Sequence, residues 1–360
     1  MNLRPHQKRA FDSMQENDKG QIIVPTGGGK TYIMIADTLK RFKLPVAQTT
    51  VVVAPRILLA NQLSAEFLEF ITDVDVAHVH SGETHHFSTT NQFELNTWVN
   101  NSTKNILIFT TYHSLQKVVN AVDVEVDTIY FDEAHNGCGR HFHIALSQIV
   151  QYAKRSFFFT ATPRIGRGVS TDRGMNNTNI YGGVLENVPA QELVASGAIV
   201  PPKVVPFETR NTTQRDKYNA HEIDADNLRD IINTFDDEQN NKILVAAPSS
   251  RVLGNMLGHT TILEYFKDNG YDVMHITSKF GAIINGTKVG REEFFDTLTK
   301  WGQDDNKRFV IFHYSILSEG INVPGLTHTV LLRNLPIIEM AQTIGRVIRV
   351  HNDDRKAVAD

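Results

Sequence analysis

A strand-sized run, Gln21-Ile22-Ile23-Val24, leads into Pro25-Thr26-Gly27-Gly28-Gly29-Lys30-Thr31, and a helical pattern follows from Thr31 to Phe42. Strand, glycine-rich turn and helix in that order form a loop whose backbone amides converge on phosphate oxygens. Lys30 is placed to reach the β and γ phosphates, and the Thr31 hydroxyl to ligate Mg²⁺. A glycine-rich turn followed by a chance Lys-Thr is the plain alternative; the agreement of strand, loop and helix weighs against it. Val24 stands where such loops commonly carry their first glycine.

The rest of the chain continues the rhythm. Strands are expected at Gln21–Pro25, Thr49–Ala54, Asn105–Phe109, Asp127–Phe131 and Ser156–Thr160, with helices at Thr31–Phe42, Arg56–Phe70 and His143–Ala153. The alternation restarts after Pro201. Strands are expected at Lys242–Ala247, Val273–Thr277, Arg308–His313 and Thr329–Leu332, and helices at Thr261–Asp268, Arg291–Trp301 and Ile337–Ile348. Strand–helix alternation predicts parallel sheets covered on both faces. The polar stretch Glu208–Ala225 has no clear period and reads as a connector. Two tandem α/β domains follow, over residues 1–205 and 206–360. The final Ala357-Val358-Ala359-Asp360 reads as the start of a further strand, so the second domain is expected to continue past it.

The strand Asp127–Phe131 ends in Asp132-Glu133-Ala134-His135. Beside a phosphate-binding loop, Asp132 is suited to hold Mg²⁺ and Glu133 to act as general base on the attacking water. A solvated acidic pair at a strand end is the bland alternative. His135 is expected to sense the γ-phosphate or to link to the next strand.

Taken in order, these segments resemble the superfamily 2 helicases, over nearly the whole chain. Leu3-Arg4-Pro5-His6-Gln7 resembles the adenine-reading motif, with Arg4 and Gln7 at the base. Pro25, Thr26, Gly27, Gly28, Gly29, Lys30 and Thr31 match motif I. Val53-Ala54-Pro55-Arg56 with Gln62 matches motif Ia, Thr110-Thr111-Tyr112 motif Ib, Asp132–His135 motif II (DEAH) and Thr160-Ala161-Thr162-Pro163 motif III. Ala246–Arg251 is similar to motif IV, Ser318–Pro324 to motif V and Gln342–Arg349 to motif VI. The resemblance implies two RecA-like P-loop domains, each a mainly parallel sheet flanked by helices, with ATP and Mg²⁺ in the cleft between them. It implies that Arg346 and Arg349, three apart and on one helical face, act with Gln342 as fingers on the γ-phosphate. Gly320 and Asn322 would contact nucleotide, and Pro55, Arg56, Thr110, Thr111, Ser249, Ser250 and Arg251 nucleic acid.

The resemblance favours DNA over RNA as partner. RNA-directed relatives usually begin motif VI with His where Gln342 stands, or spell motif III S-A-T and carry a second glycine before the last arginine. Ala190–Pro202 resembles the bridge of DNA-directed members: restriction-enzyme motors, repair helicases and phage recombination helicases. A nuclease or repair partner is implied. The alternatives are a duplex translocase that separates no strands, an RNA helicase, and a binding module that has kept the fold without activity. Retention of Lys30, Asp132, Glu133, Arg346 and Arg349 disfavours the last.

Composition limits the remaining choices. The net charge is −4, so polynucleotide contacts must come from a local surface rather than from overall charge. A single cysteine, Cys138, allows no internal disulfide, and no apolar run is long enough to span a membrane. The expected location is the cytoplasm: the nucleoid, or the host cytoplasm for a phage protein. Cys138, His141 and His143 match no zinc spacing and read as a polar loop after motif II. His85-His86 reads as solvated, and Trp98 and Trp301 as packing residues.

Overall fold

The computed structural model describes residues 2–121, 124–201, 203–210, 212–235, 240–277, 280–314 and 325–333. The chain divides into two compact units, Met1–Leu193 and Val194–Asp360.

The first unit contains β1 (Lys19–Ile23), β2 (Thr49–Ala54), β3 (Asp75–Val79), β4 (Phe87–Ser88), β5 (Ile106–Thr111), β6 (Thr128–Phe131), β7 (Arg155–Thr160) and β8 (Val184–Asn187). They form one sheet in the order β4-β3-β5-β2-β6-β7-β1-β8, with every pairing parallel. The connections carry α1 (Pro5–Gln15), α2 (Lys30–Arg41), α3 (Ile57–Leu68), α4 (Gln92–Asn101), α5 (Leu115–Val119), α6 (Arg140–Tyr152), α7 (Thr178–Tyr181) and α8 (Ala190–Ala195). β2, β5 and β7 are buried along their whole length, which is why they read as continuous apolar runs. Phe131 and Phe158, on adjacent strands, stack at 4.8 Å in this core. Truncating either to Ala would cost about 3–5 kcal/mol.

Several elements of this unit were not expected from the sequence, among them α1, the β3–β4 edge, α4 and β8. Pro5 opens α1 at a position where its missing N–H is harmless, so the polar N-terminal residues are helical. The β3–β4 edge extends the sheet beyond β5, and α4 lies between β4 and β5 in the chain. Trp98 in α4 stacks on Phe87 at 5.1 Å and Trp301 lies 5.9 Å from Phe309, both as packing groups.

A buried ionic cluster ties four elements together at the start of β7. Arg155 donates from Nη1 to Asp37 Oδ2 at 2.7 Å and from Nη2 to Asp37 Oδ1 at 3.2 Å. Tyr130 Oη donates to Asp37 Oδ2 at 2.6 Å, Gln15 Nε2 to Asp37 Oδ1 at 2.8 Å, and Arg155 Nη2 to the Met14 carbonyl at 2.7 Å. The cluster fixes α1 and α2 relative to the sheet.

The second unit holds α9 (Ala220–Ile232), β9 (Lys242–Ala246), α10 (Ser250–His259), α11 (Ile262–Asp268), β10 (Asp272–Thr277), β11 (Gly281–Ile284), β12 (Thr287–Val289), α12 (Arg291–Gln303), β13 (Phe309–His313) and β14 (His328–Leu331). The sheet order is β12-β11-β10-β13-β9-β14. β10, β13, β9 and β14 pair in parallel, and β11 and β12 add an antiparallel edge. The mainly parallel α/β architecture expected for both halves is therefore present.

The expected connector Glu208–Ala225 is partly wrong. α9 begins inside it, with Ala220, Ile223, Asp224 and Ala225 already buried, and its packing continues through Leu228 and Ile232. The expected helix 337–348 and the strand-like residues 357–360 lie outside the described residues. No helix among the described residues is long and apolar enough to cross a membrane.

Candidate phosphate-hydrolysis site

β1 lies between β7 and β8, and Val24 N–H continues its ladder by donating to the Thr160 carbonyl at 3.0 Å. The chain then turns through Gly27 (φ 84°) and Gly29 (φ 77°), left-handed conformations that favour glycine. Gly28 N–H donates to the Pro25 carbonyl at 3.0 Å. A Cβ on Gly28 would sit 2.4 Å from Val24 Cγ1. The side chain that replaces the usual first glycine thus packs where only a glycine can face it. α2 starts immediately at Lys30, with Gly29 as its cap.

The loop is held from α1. Gln7 Nε2 donates to the carbonyls of Gly28 (3.2 Å) and Gly29 (3.3 Å), while Gln7 Oε1 accepts from Arg4 N–H at 2.9 Å. His6 Nε2 bonds the Gly28 carbonyl at 2.8 Å. Sequence reading chose Arg4 and Gln7 and passed over His6; its position beside Gln7 was the available signal.

The acidic pair sits two strands away. Asp132 follows β6 directly, is buried, and has its carbonyl held by Tyr112 Oη at 2.9 Å. Glu133 is also buried and has φ 45°, ψ 54°, left-handed for a residue with a side chain. Glu133 Oε1 lies 3.6 Å from Lys30 Nζ, and its Oε2 lies 3.6 Å from His135 Nδ1. His135 Nδ1 is 3.0 Å from Thr160 Oγ1, which also accepts the Thr162 N–H at 3.1 Å. Of the two expectations for His135, the link to the next strand is realised.

Burial pushes the Asp132 carboxyl up to about 7, the Glu133 charge adds to the push, and Lys30 opposes it. Two buried carboxyls that share one ammonium favour an added cation. The oxygen donors of Asp132 and Thr31 suit a hard ion such as Mg²⁺.

The other expected residues are placed as follows. Pro55 is buried and Arg56 half-buried at the start of α3. Thr110 Oγ1 donates to the Val79 carbonyl at 2.9 Å, and Thr111 Oγ1 accepts the Ser114 N–H at 3.3 Å. Ser249 caps α10 by accepting the Val252 N–H at 3.1 Å, Ser250 opens that helix, and Arg251 is exposed. Gly320, Asn322, Gln342, Arg346 and Arg349 lie outside the described residues. The segment after motif II is not the polar loop expected. Cys138 is buried at the end of a 3₁₀ turn, with its Sγ 3.6 Å from Tyr181 Oη, and His141 and His143 lie in the first turn of α6. His86 is exposed as expected, with its ring stacked on buried His78 at 5.4 Å.

Two family models match in tandem: the Type III restriction enzyme res subunit over residues 1–165, and the helicase conserved C-terminal domain over residues 224–351. The chain belongs to superfamily 2 of the helicases. Solved structures agree with this superfamily 2 assignment at the level of fold. The ATP-dependent Type ISP restriction-modification enzyme LlaBIII, bound to DNA, matches at TM-score 0.74 and 17% identity, over 99% of this chain and 27% of that one. The Mycobacterium smegmatis helicase Lhr, bound to ssDNA and AMP-PNP, matches at 0.62 and 16%, over 97% and 45%. A point variant of S. cerevisiae Dbp5, bound to RNA and ADP BeF3, matches at 0.61 and 14%, over 95% and 79%. The superfamily 2 chain spans about a quarter of the length of the Type ISP enzymes it matches. The RecA-like fold expected for both halves is that of these relatives. No curated protein matches.

Proposed function

We propose that this chain is a polynucleotide-stimulated ATPase motor that acts on DNA. The observation that carries the reading is the chain Lys30–Glu133–His135–Thr160, which joins the phosphate loop, the acidic strand end and motif III in one buried network.

Lys30 neutralises the β and γ phosphates, while the loop amides and the start of α2 hold their oxygens. Thr31 and Asp132 would hold Mg²⁺, which supplies charge neutralisation on the phosphates. Glu133 orients the attacking water and takes its proton. Arg346 and Arg349, with Gln342, complete charge stabilisation at the γ-phosphate, and Gly320 and Asn322 contact the nucleotide. Gln7 and Arg4 read the adenine. Thr160 bonds to His135 and so connects the state of the acidic pair to motif III. DNA is favoured by the match to a restriction-enzyme family and by the sequence features of motifs III and VI. The RNA-bound Dbp5 relative keeps RNA as the comparison arm.

The test is ATP turnover without polynucleotide and with single-stranded DNA, duplex DNA or RNA, for the native chain and for Lys30→Ala and Arg346→Ala. DNA should stimulate most, and each variant should lose about a hundredfold in turnover. Equal turnover with and without every polynucleotide would leave an ATPase and remove the motor.

A further inference from the structure

After Thr160-Ala161-Thr162-Pro163 the chain makes a closed excursion before α7. Its base is pinched shut. Met175 N–H donates to the Arg164 carbonyl at 2.8 Å, and Asn176 Oδ1 accepts the Gly166 N–H at 2.7 Å. A Cβ on Gly174 would lie 2.1 Å from Gly166 N, and one on Gly166 would lie 2.2 Å from the Ser170 carbonyl oxygen. The two backbone arms therefore approach as only glycines allow. Inside, a 3₁₀ turn spans Gly168–Arg173, braced by Ser170 Oγ on the Arg167 carbonyl at 2.8 Å and Thr171 Oγ1 on the Gly168 carbonyl at 2.8 Å. Tyr181 Oη fastens the far arm by donating to the Arg173 carbonyl at 3.1 Å. The loop is pre-formed rather than slack.

Its outer surface is cationic with an apolar tip. Arg164 and Arg167 are exposed, Val169 is fully exposed and Ile165 is 56% exposed. Arg140, in the first turn of α6, is exposed, and α6 follows the 3₁₀ turn that meets the loop where Cys138 Sγ lies 3.9 Å from the Arg164 carbonyl. No carboxylate among the described residues forms an ion pair with Arg140, Arg164 or Arg167. In a chain of net charge −4, residues 134–185 hold six Arg and Lys against one carboxylate, Asp172. Two of the six, Arg155 and Lys154, pair with Asp37 and Asp127, while the exposed Arg140, Arg164 and Arg167 have no carboxylate partner among the described residues.

The position matters as much as the charge. All strands of the first sheet are parallel, so the segments that follow them emerge at one end. Arg56 follows β2, His113 follows β5, Arg140 lies beyond β6 and the loop follows β7. A row of phosphates laid along that end would meet each in turn. An acidic protein would satisfy the charge as well, but a polynucleotide also offers sugar faces for Val169 and Ile165 between the phosphates. Arginines pair well with phosphate oxygens through bidentate bonds.

We propose that the 164–174 loop, with Arg140, is a further nucleic-acid contact that grips the sugar–phosphate backbone through Arg164 and Arg167 with Val169 packed between them. The proposal rests on the reading of the chain as a DNA motor.

The experiment compares the full chain with Arg164→Gln/Arg167→Gln, Arg164→Lys/Arg167→Lys and, at the opposite end of β7, Lys154→Gln. Binding to labelled single-stranded and duplex DNA is read by anisotropy over roughly 50 to 300 mM salt, together with each variant's melting temperature. The Gln pair should bind at least one of the two DNAs about tenfold more weakly, and lower the slope of log affinity against log salt by about 1.5. Its melting temperature should be unchanged. The Lys pair should keep the slope, and Lys154→Gln should match the native chain. Native binding with an unchanged slope in the Gln pair overturns the proposal and gives this surface to another partner, while the motor reading stands. An equal loss in the Lys pair or in Lys154→Gln also overturns it, since the effect would then be structural or a matter of overall charge. If the native chain binds neither DNA, the motor reading falls with it.

Discussion

His135 Nδ1 lies 3.0 Å from Thr160 Oγ1, across from β6 to the end of β7. With Glu133 Oε2 at 3.6 Å from the same nitrogen, the contact joins the acidic pair to motif III, and on the proposed reading it couples the two. Thr160→Val keeps the side-chain volume and deletes the acceptor. It is expected to leave nucleotide affinity within about threefold and to lower DNA-stimulated turnover by about tenfold or more, the range of the two hydrogen bonds lost at Thr160 Oγ1, to His135 and to the Thr162 N–H. Steady-state turnover beside fluorescent-nucleotide binding separates the two; loss of binding alone would contradict the assignment.

Gly29 is confined by its own backbone and by Gln7. Its φ is 77°, and a Cβ there would stand 2.3 Å from Gln7 Nε2. Gly29→Ala adds a left-handed penalty of about 1–2 kcal/mol and displaces the clamp. ATP affinity should fall by about tenfold or more, with a smaller change in melting temperature. Gln7→Ala should restore only part of that affinity, since the backbone penalty remains. Nucleotide titrations of both variants and the double variant provide the check.

Asp37 is fully buried and held by Arg155 in two hydrogen bonds. Arg155→Met would leave that carboxylate without its doubly bonded counter-charge, with only Arg41 Nε at 3.9 Å remaining, and should destabilise the fold by about 3–5 kcal/mol. Replacing both, Asp37→Leu with Arg155→Met, should recover much of the loss, because the cost comes from the uncompensated charge. Denaturant unfolding of the single and double variants measures the difference. Equal loss in both would mean that the cluster works by packing alone.

The buried histidines give the fold an acid-side weakness. His78 is covered, lies 3.0 Å from His80 Nε2 through its Nδ1, and bonds Ser64 Oγ at 3.0 Å through its Nε2. Burial, then the neighbouring His80 and His86, pushes its pKa down to about 3, and burial lowers His80 as well. The folded state therefore refuses protons that the unfolded chain takes up below about pH 6.5. Stability should be level above about pH 7 and should fall as pH drops towards 3, by roughly 2 kcal/mol at pH 5 from His78 alone. His78→Gln should flatten that fall. A stability profile unchanged from pH 7 to pH 4 would refute the assignment.

Much of the site was legible in the sequence because its parts are contiguous. Gly27–Thr31 and Asp132–His135 each declare a local geometry, and their order declares the fold. What escaped notice depends on contacts between distant residues. His6 meets Gly28 from 22 positions away, and Arg155 reaches Asp37 across 118. Neither pair has a pattern of its own. Cys138 was misplaced because its polar neighbours His141 and His143 suggested a loop, whereas they ride the exposed and half-buried turns of α6 over a buried thiol. α9 was read as connector because the buried residues of its first turns, Ala220, Ile223, Asp224 and Ala225, are small or polar except for one isoleucine and so show no apolar period.

Glu133 takes a left-handed backbone without being glycine. The reversal of chain direction at that one residue sends two consecutive carboxylates along separate headings. Asp132 keeps the line of its strand, while Glu133 swings toward the lysine of another. A glycine at 133 would relieve the conformation and discard the proton acceptor. An alanine would keep the cost and lose the same group. The position thus holds its amino acid by two independent demands, one on the main chain and one on the side chain.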